Sequence, residues 1–136
     1  FSTDGSGIRD TEMGLWLENG TLLEQDDDSG KDLWSQVTLL APSLPAVYYM
    51  GGSKFATSFS DDFEMTSEAL APGETGSIHF SVNGVSIGSK LLGDANTTGL
   101  SEFSLYRVEI DIKGKVESVV DVSQGVKPLD CSLGDY

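Results

Sequence analysis

The sequence predicts an all-β protein with a β-sandwich or jelly-roll-like architecture. Apolar residues recur at every second position along most of the chain, the spacing of a half-buried strand, whereas helical spacing hardly occurs. Asparagine–glycine pairs at 19–20 and 83–84 are typical of two-residue hairpin turns. About eight or nine short antiparallel strands joined by such turns favour two packed sheets.

The first half of the chain contains four predicted strands, at residues 11–18, 21–24, 32–40 and 46–51. The first two flank an asparagine–glycine pair and should form a hairpin. The prolines that follow residue 40 should end the third strand. The polar stretch 52–75 is predicted to be a loop, in which Phe55, Phe59 and Phe63 could form a short helical cap or a protein-binding lip, although packing onto the sandwich is favoured.

The second half contains four more predicted strands, at residues 78–82, 85–87, 103–112 and 116–122. The apolar phase shifts between Leu105 and Val108, which indicates a bulge or a strand that turns a corner. Residues 91–99 are predicted to be a surface loop. The polar tail from residue 123 contains a glycine and a proline that discourage regular structure.

Length and charge restrict the function classes. The 136 residues fit one domain, and 8 basic residues against 22 acidic ones give a formal charge of −14. Such a surface repels phosphate backbones and anionic lipids, so nucleic-acid binding is not expected. No apolar run approaches the roughly 20 residues of a membrane helix, so membrane insertion is not expected. Neither end has a signal-peptide pattern, which predicts an already trimmed, soluble piece.

The motifs of common enzyme classes are missing, so a non-catalytic protein is predicted. His79 is the only histidine and Cys131 the only cysteine, which excludes a histidine-rich zinc site and an internal disulfide. Glu109 and Asp111 lie on one predicted strand face about 7 Å apart and could in principle act as glycosidase carboxylates. Acids that face water on an amphipathic strand explain this pair better.

An acidic region around the first hairpin predicts a cation site. Because a two-residue turn joins the first two strands, their far ends should meet and bring several carboxylates together. Converging carboxylates repel one another without a cation, and Ca²⁺ prefers six to eight oxygen ligands. The alternative is a solvated acidic turn. The candidate metal ligands are Asp10, Glu12, Asp26, Asp27, Asp28 and Asp32.

Three blocks of sequence follow one another in a specific order: DTEMGLWLENGTLLEQDDDSG at 10–30, WSQVTL at 34–39 and PAVYYMGG at 45–52. Together they resemble the bacterial pre-peptidase C-terminal (PPC) domain family, over a core of about residues 8–82. The resemblance implies a non-catalytic, jelly-roll-like β-sandwich attached to exported or surface proteins, some relatives of which bind calcium or insoluble substrates. It maps Asp10, Asp26 and Asp27 onto the acidic positions of the family.

The sequence departs from the family in two places. Residues 44–47, LPAV, replace the usual Ala-Gly-Thr approach to the tyrosines, and the strands and tail of residues 83–136 extend beyond the usual end. This extension either completes the sandwich or marks a variant in which the module is the whole protein. Residues 1–136 are therefore interpreted as one domain.

Exposed aromatic residues suggest a second binding function. Trp16, Trp34 and Tyr49 fall on strand faces opposite the most apolar neighbours and could form a platform for sugar rings. The leading expectation is a calcium-stabilised accessory or adhesion domain of a secreted or cell-surface bacterial protein, with a protein or polysaccharide partner in an extracytoplasmic compartment. The alternative is a carbohydrate-binding module that uses the three aromatic residues.

Overall fold

The computed structural model describes residues 1–8, 10–27, 30, 34–39, 46–54, 57–67, 75–93 and 100–122. These ranges contain nine strands and no helix, which confirms the predicted all-β class. No segment in them could therefore cross a membrane as a helix. The strands are β1 (Thr11–Leu17), β2 (Leu22–Asp26), β3 (Ala46–Lys54), β4 (Thr57–Ser60), β5 (Glu64–Ser67), β6 (Thr75–Val82), β7 (Val85–Gly93), β8 (Ser104–Ile110) and β9 (Val116–Asp121).

A five-stranded antiparallel sheet forms the centre, with the strand order β2-β1-β3-β8-β9. Leu15 of β1 lies opposite Met50 of β3, and Met50 lies opposite Tyr106 of β8, so one row of apolar side chains crosses three strands. Two separate hairpins, β4–β5 and β6–β7, make up the other sheets.

The β6–β7 hairpin packs on one face of the central sheet, here called the front face. The buried front-face side chains are Met13, Leu15, Tyr48, Met50, Tyr106, Val108 and Ile110. The hairpin contributes Ile78, Phe80, Val82 and Leu92 to the same cluster. The rings of Phe80 and Tyr106 meet edge to face with centroids 5.4 Å apart. Most of the apolar core lies here.

The β4–β5 hairpin packs on the opposite face, here called the back face. Its buried cluster consists of Trp16, Phe59 and Leu105, and the Trp16 and Phe59 rings meet edge to face at 5.8 Å. A side chain at Gly14 would place its Cβ 2.8 Å from the Phe59 ring, so the glycine allows the hairpin to approach. The central sheet thus has a two-stranded hairpin on each face.

The predicted loop at 52–75 contains this β4–β5 hairpin, so that prediction was wrong. Thr57 and Phe59 are buried whereas Ser58 and Ser60 are exposed, and this strand alternation is hidden in the sequence because hydroxyl residues occupy three of the four positions. The turn uses no glycine: Asp62 and Phe63 both adopt positive φ, 65° and 63°. Phe55 lies outside the described residues.

The turn of this hairpin also covers the edge of β2. The carboxylate Oδ1 of Asp61 accepts a hydrogen bond from the main-chain N–H of Leu22 at 2.8 Å. The N–H of Asp62 donates to the carbonyl of Gly20 at 2.7 Å. The two hairpins are therefore held together at their turns by polar contacts.

The predicted third strand is also corrected. Within its described part, residues 34–39, the only ladder contact is a single bridge from Gln36 to Ser2. Ser2 also bridges Ser81 of β6, so residues 1–8, here called the strap, run between β6 and residues 34–39. Residues 34–39 thus join the β6–β7 layer through the strap rather than the central sheet.

The phase shift in β8 has a different cause from the predicted one. Leu105 is buried on the back face and Tyr106 on the front face, so both phases are apolar because both faces are covered. The register irregularity lies further on, between Glu109 and Ile110. β7 continues to Gly93, well beyond the predicted end at 87. The rest of the predicted loop at 91–99 and the tail from 123, which includes Cys131, lie outside the described residues.

Candidate functional site

The two ends of the β1–β2 hairpin meet, as its turn predicts. Met13 lies opposite Asp26, so the residues before β1 and after β2 share one end of the hairpin. Ser35 joins them: its Oγ lies 2.9 Å from the main-chain oxygen of Thr11 and 2.6 Å from that of Asp27. Three segments that are distant in sequence therefore converge here.

A buried hydroxyl cluster fixes this convergence. Oγ1 of Thr3 lies 2.7 Å from Oγ1 of Thr11, which lies 3.0 Å from Oγ of Ser35. The N–H of Ser35 donates to Thr3 Oγ1 at 2.8 Å, and all three residues are fully buried. Buried polar groups need hydrogen-bond partners, and these three side chains supply them to one another, so the cluster holds the strap, β1 and residues 34–39 together. One feature of the sequence indicates this cluster: Thr11 occupies a position of β1 at which the two-residue alternation predicts an apolar side chain.

The aspartates at this end have different surroundings. Oδ2 of Asp26 accepts a hydrogen bond from the N–H of Gln36 at 2.8 Å. Oδ1 of Asp10 and Oδ1 of Asp27 are both buried, and within the described ranges Asp10 Oδ1 has no hydrogen-bond partner. Asp4, which the sequence did not suggest, lies against Gly30: a Cβ at Gly30 would be 2.7 Å from Asp4 Oδ1.

The six predicted ligands do not converge as a set. Cross-strand partners share a face, so Asp26 lies on the face of Met13, whereas Glu12 points to the opposite face. In the part of the chain that the structure describes, no three acidic, histidine or cysteine side chains form a group able to hold a metal ion. Asp28 and Asp32 lie outside the described residues.

The predicted aromatic platform is not assembled. Trp16 has no exposed surface, and its indole N–H donates to the carbonyl of Ser60 at 2.8 Å, so its proposed stacking role was wrong. Tyr49 is half-buried beside Phe63, with ring centroids 4.5 Å apart. Trp34 donates its indole N–H to the carbonyl of Ile8 at 3.0 Å and so packs at the strap. The two remaining rings belong to different parts of the fold.

Glu109 and Asp111, the two acids spaced as glycosidase carboxylates could be, make structural contacts. Glu109 forms an ion pair with Arg107, and this hydrogen bond raises the pKa of the Arg107 guanidinium. Oδ1 of Asp111 accepts hydrogen bonds from the N–H groups of Lys113 and Lys115, both at 2.9 Å, which lower the pKa of Asp111. The imidazole Nδ1 of His79 lies 2.7 Å from Ser89 Oγ.

Comparison with known proteins adds no family. No protein-family model, curated protein or solved structure matches this chain. The likeness to PPC domains therefore rests on the three sequence blocks, and the functional conclusions rest on the geometry described above.

Proposed function

We propose that this chain is a non-catalytic accessory or adhesion domain of a secreted or cell-surface bacterial protein, in which Ca²⁺ stabilises the end of the β1–β2 hairpin. The accessory role rests on the resemblance to PPC domains, and the observation that supports the calcium site is the buried Oδ1 of Asp10, which lacks a hydrogen-bond partner within the described ranges. Burying a carboxylate oxygen without a hydrogen-bond partner is costly, and a bound cation would offset that cost.

In this proposal the ligands of the ion are oxygen atoms, the donors that a hard cation prefers. Asp10 and Asp27 would supply carboxylate oxygens, and Ca²⁺ also accepts main-chain carbonyls and water as ligands. Two contacts support an ordered site at this end: Ser35 holds the main-chain oxygens of Thr11 and Asp27, and Asp26 accepts a hydrogen bond from the N–H of Gln36.

The non-catalytic part of the proposal is supported by the contacts of Glu109 and Asp111. A glycosidase needs two carboxyl groups free to exchange protons with the substrate. Glu109 is engaged by Arg107, and Asp111 closes the β8–β9 turn. These contacts favour structural roles for both acids.

Thermal unfolding after chelation, with and without millimolar Ca²⁺, tests the proposal. A ligand that binds only the folded state at a hundredfold excess over Kd adds about 2.7 kcal/mol, which corresponds to several degrees in Tm. We expect this rise with Ca²⁺ but not with Mg²⁺, and we expect Asp10→Asn to remove it.

The matched control is Glu117→Gln, which removes an exposed acid on β9, far along the chain from the hairpin end. This variant should keep the full response to Ca²⁺. An Asp10→Asn protein that responds to Ca²⁺ as strongly as the wild type would refute the site.

A further inference from the structure

The strap is held to the rest of the chain by hydrogen bonds more than by apolar contacts. Thr3 and Ser6 are buried but polar. The two large apolar side chains of the strap, Phe1 and Ile8, are only partly buried against the core. Segments with few buried apolar contacts open at a lower cost in free energy than the core of a domain. We therefore expect the strap to open locally while the central sheet stays folded.

Main-chain hydrogen bonds connect the strap to β6. Ser2 and Ser81 exchange both of their main-chain bonds, each at 2.9 Å. Further along, the N–H of Ile8 donates to the carbonyl of Ser77 at 2.8 Å. These bonds break when the strap opens, so hydrogen exchange at the amides of Ser2, Ser81 and Ile8 measures how often it opens.

A chain of hydrogen bonds runs from the strap to the end of the β1–β2 hairpin. Ser35 Oγ has one hydrogen, which it donates to the main-chain oxygen of Asp27 at 2.6 Å or to that of Thr11 at 2.9 Å. The hydroxyl of Thr11 must then donate to Ser35, and that of Thr3 to Thr11, while Thr3 accepts from the N–H of Ser35. Each member has a fixed role, so a displacement of the Asp27 carbonyl changes the hydrogen bonds of Thr3.

A second connection runs beside the first. Oδ2 of Asp26 accepts a hydrogen bond from the N–H of Gln36 at 2.8 Å, and Gln36 forms the bridge to Ser2 of the strap. Asp26 and Asp27 are adjacent residues, and each reaches the strap through one residue of the segment 34–39. The end of the hairpin and the strap are therefore connected twice.

We propose that Thr3 is a positioning residue for the proposed calcium site, and that Ca²⁺ bound at the hairpin end stabilises the closed strap. This inference rests on the proposed function, because it needs an ion held by Asp10 and Asp27. An ion that holds Asp27 restricts the carbonyl of the same residue, to which Ser35 donates. Coupling between two sites is reciprocal, so a closed strap should in turn raise the affinity for Ca²⁺.

Amide hydrogen exchange of the ¹⁵N-labelled chain, measured by NMR after chelation and with millimolar Ca²⁺, tests the coupling. We expect Ca²⁺ to slow exchange at Ser2, Ser81 and Ile8 by at least about tenfold. The amide of Met65 in β5 is the control, because the β4–β5 hairpin belongs to neither connection, and its rate should stay the same. A rise in Tm with Ca²⁺ but unchanged strap exchange would overturn this inference and leave the calcium site standing. No response to Ca²⁺ in either measurement would overturn both proposals.

Substitution of Thr3 tests the positioning role. Thr3→Val removes the hydroxyl at nearly constant volume, so it should weaken Ca²⁺ binding in a calorimetric titration by at least about tenfold and remove the effect of Ca²⁺ on strap exchange. Thr3→Ser keeps the hydroxyl and should recover both. Thr66→Val removes an exposed hydroxyl on β5 and should change neither.

A Thr3→Val protein that binds Ca²⁺ as tightly as the wild type would overturn the positioning role of Thr3. If Thr3→Val does not fold, the exchange experiment on the wild-type chain still decides the coupling.

Discussion

The two faces of the central sheet are covered by hairpins of very different strength. Among the described residues, the cluster that the front face forms with β6–β7 and residues 34–39 contains twelve buried apolar residues, whereas the cluster of the back face and β4–β5 contains three. Burial of apolar area is the main source of stability, so the front face dominates the free energy of folding. The back-face hairpin depends on Trp16, on Phe59 and on the gap at Gly14, and it should open more easily than the rest.

The largest expected effect comes from Phe80→Ala, which empties the centre of the front-face core. A fully buried phenylalanine replaced by alanine costs about 3–5 kcal/mol. Urea unfolding measures this loss. Phe59→Ala is the matched variant on the back face, where we expect a smaller loss of global stability and faster hydrogen exchange confined to β4–β5. Equal losses for the two variants would break the distinction between the faces.

A smaller effect is expected from Gly14→Ala, which adds a methyl group to the back face. The new Cβ would meet the Phe59 ring at 2.8 Å and push β4–β5 outward, at a cost of about 1–3 kcal/mol. Combination with Phe59→Leu should recover part of this loss, because the smaller side chain makes room. Strict additivity of the two changes in a double-mutant cycle would show that the two residues do not touch.

The smallest effect concerns pH and the front face alone. Burial raises the pKa of the Tyr106 hydroxyl, and the negative charge of Asp121 adds to this. The folded chain therefore keeps this proton where the unfolded chain loses it, so the stability is full below about pH 10 and falls as pH rises further. Tyr106→Phe should flatten the decline above about pH 10. At neutral pH the change should be under about 1 kcal/mol, since the Tyr106–Ser89 hydrogen bond is long at 3.4 Å. Identical alkaline slopes would contradict this.

The front face could be predicted from the sequence, and the back face could not. Met13, Leu15, Phe80 and Val82 follow a strict two-residue period, and the asparagine at 83 with Gly84 forms the expected turn, with φ of 52° and 79°. On the back face, Trp16 stands between Gly14 and a polar residue at 18, a pattern that is read as solvent-exposed. Trp16 is covered by the serine-rich β4–β5 hairpin, whose burial depends on contacts between residues distant in sequence.

The candidate site was predictable to the same limited extent. Turn geometry correctly places the residues before β1 and after β2 at one end of the hairpin, with Asp26 opposite Met13, because hairpin register is a local property. The hydroxyl cluster joins Thr3, Thr11 and Ser35 across three separate segments, and no local pattern specifies that meeting. The side chains of Glu12 and Asp26 point to opposite faces of the sheet, so nearness along the hairpin does not bring the two carboxylates together.

The contact between Asp61 and the N–H of Leu22 has a consequence for solubility. β2 is an outer strand of the central sheet, and a free margin of this kind is a template for strand-by-strand aggregation. Asp61 already occupies one donor on that margin and places a negative charge beside it. A strand from a second molecule would meet a carboxylate there instead of a free amide. We therefore expect the back-face hairpin, although it adds little stability, to hinder strand addition at this margin.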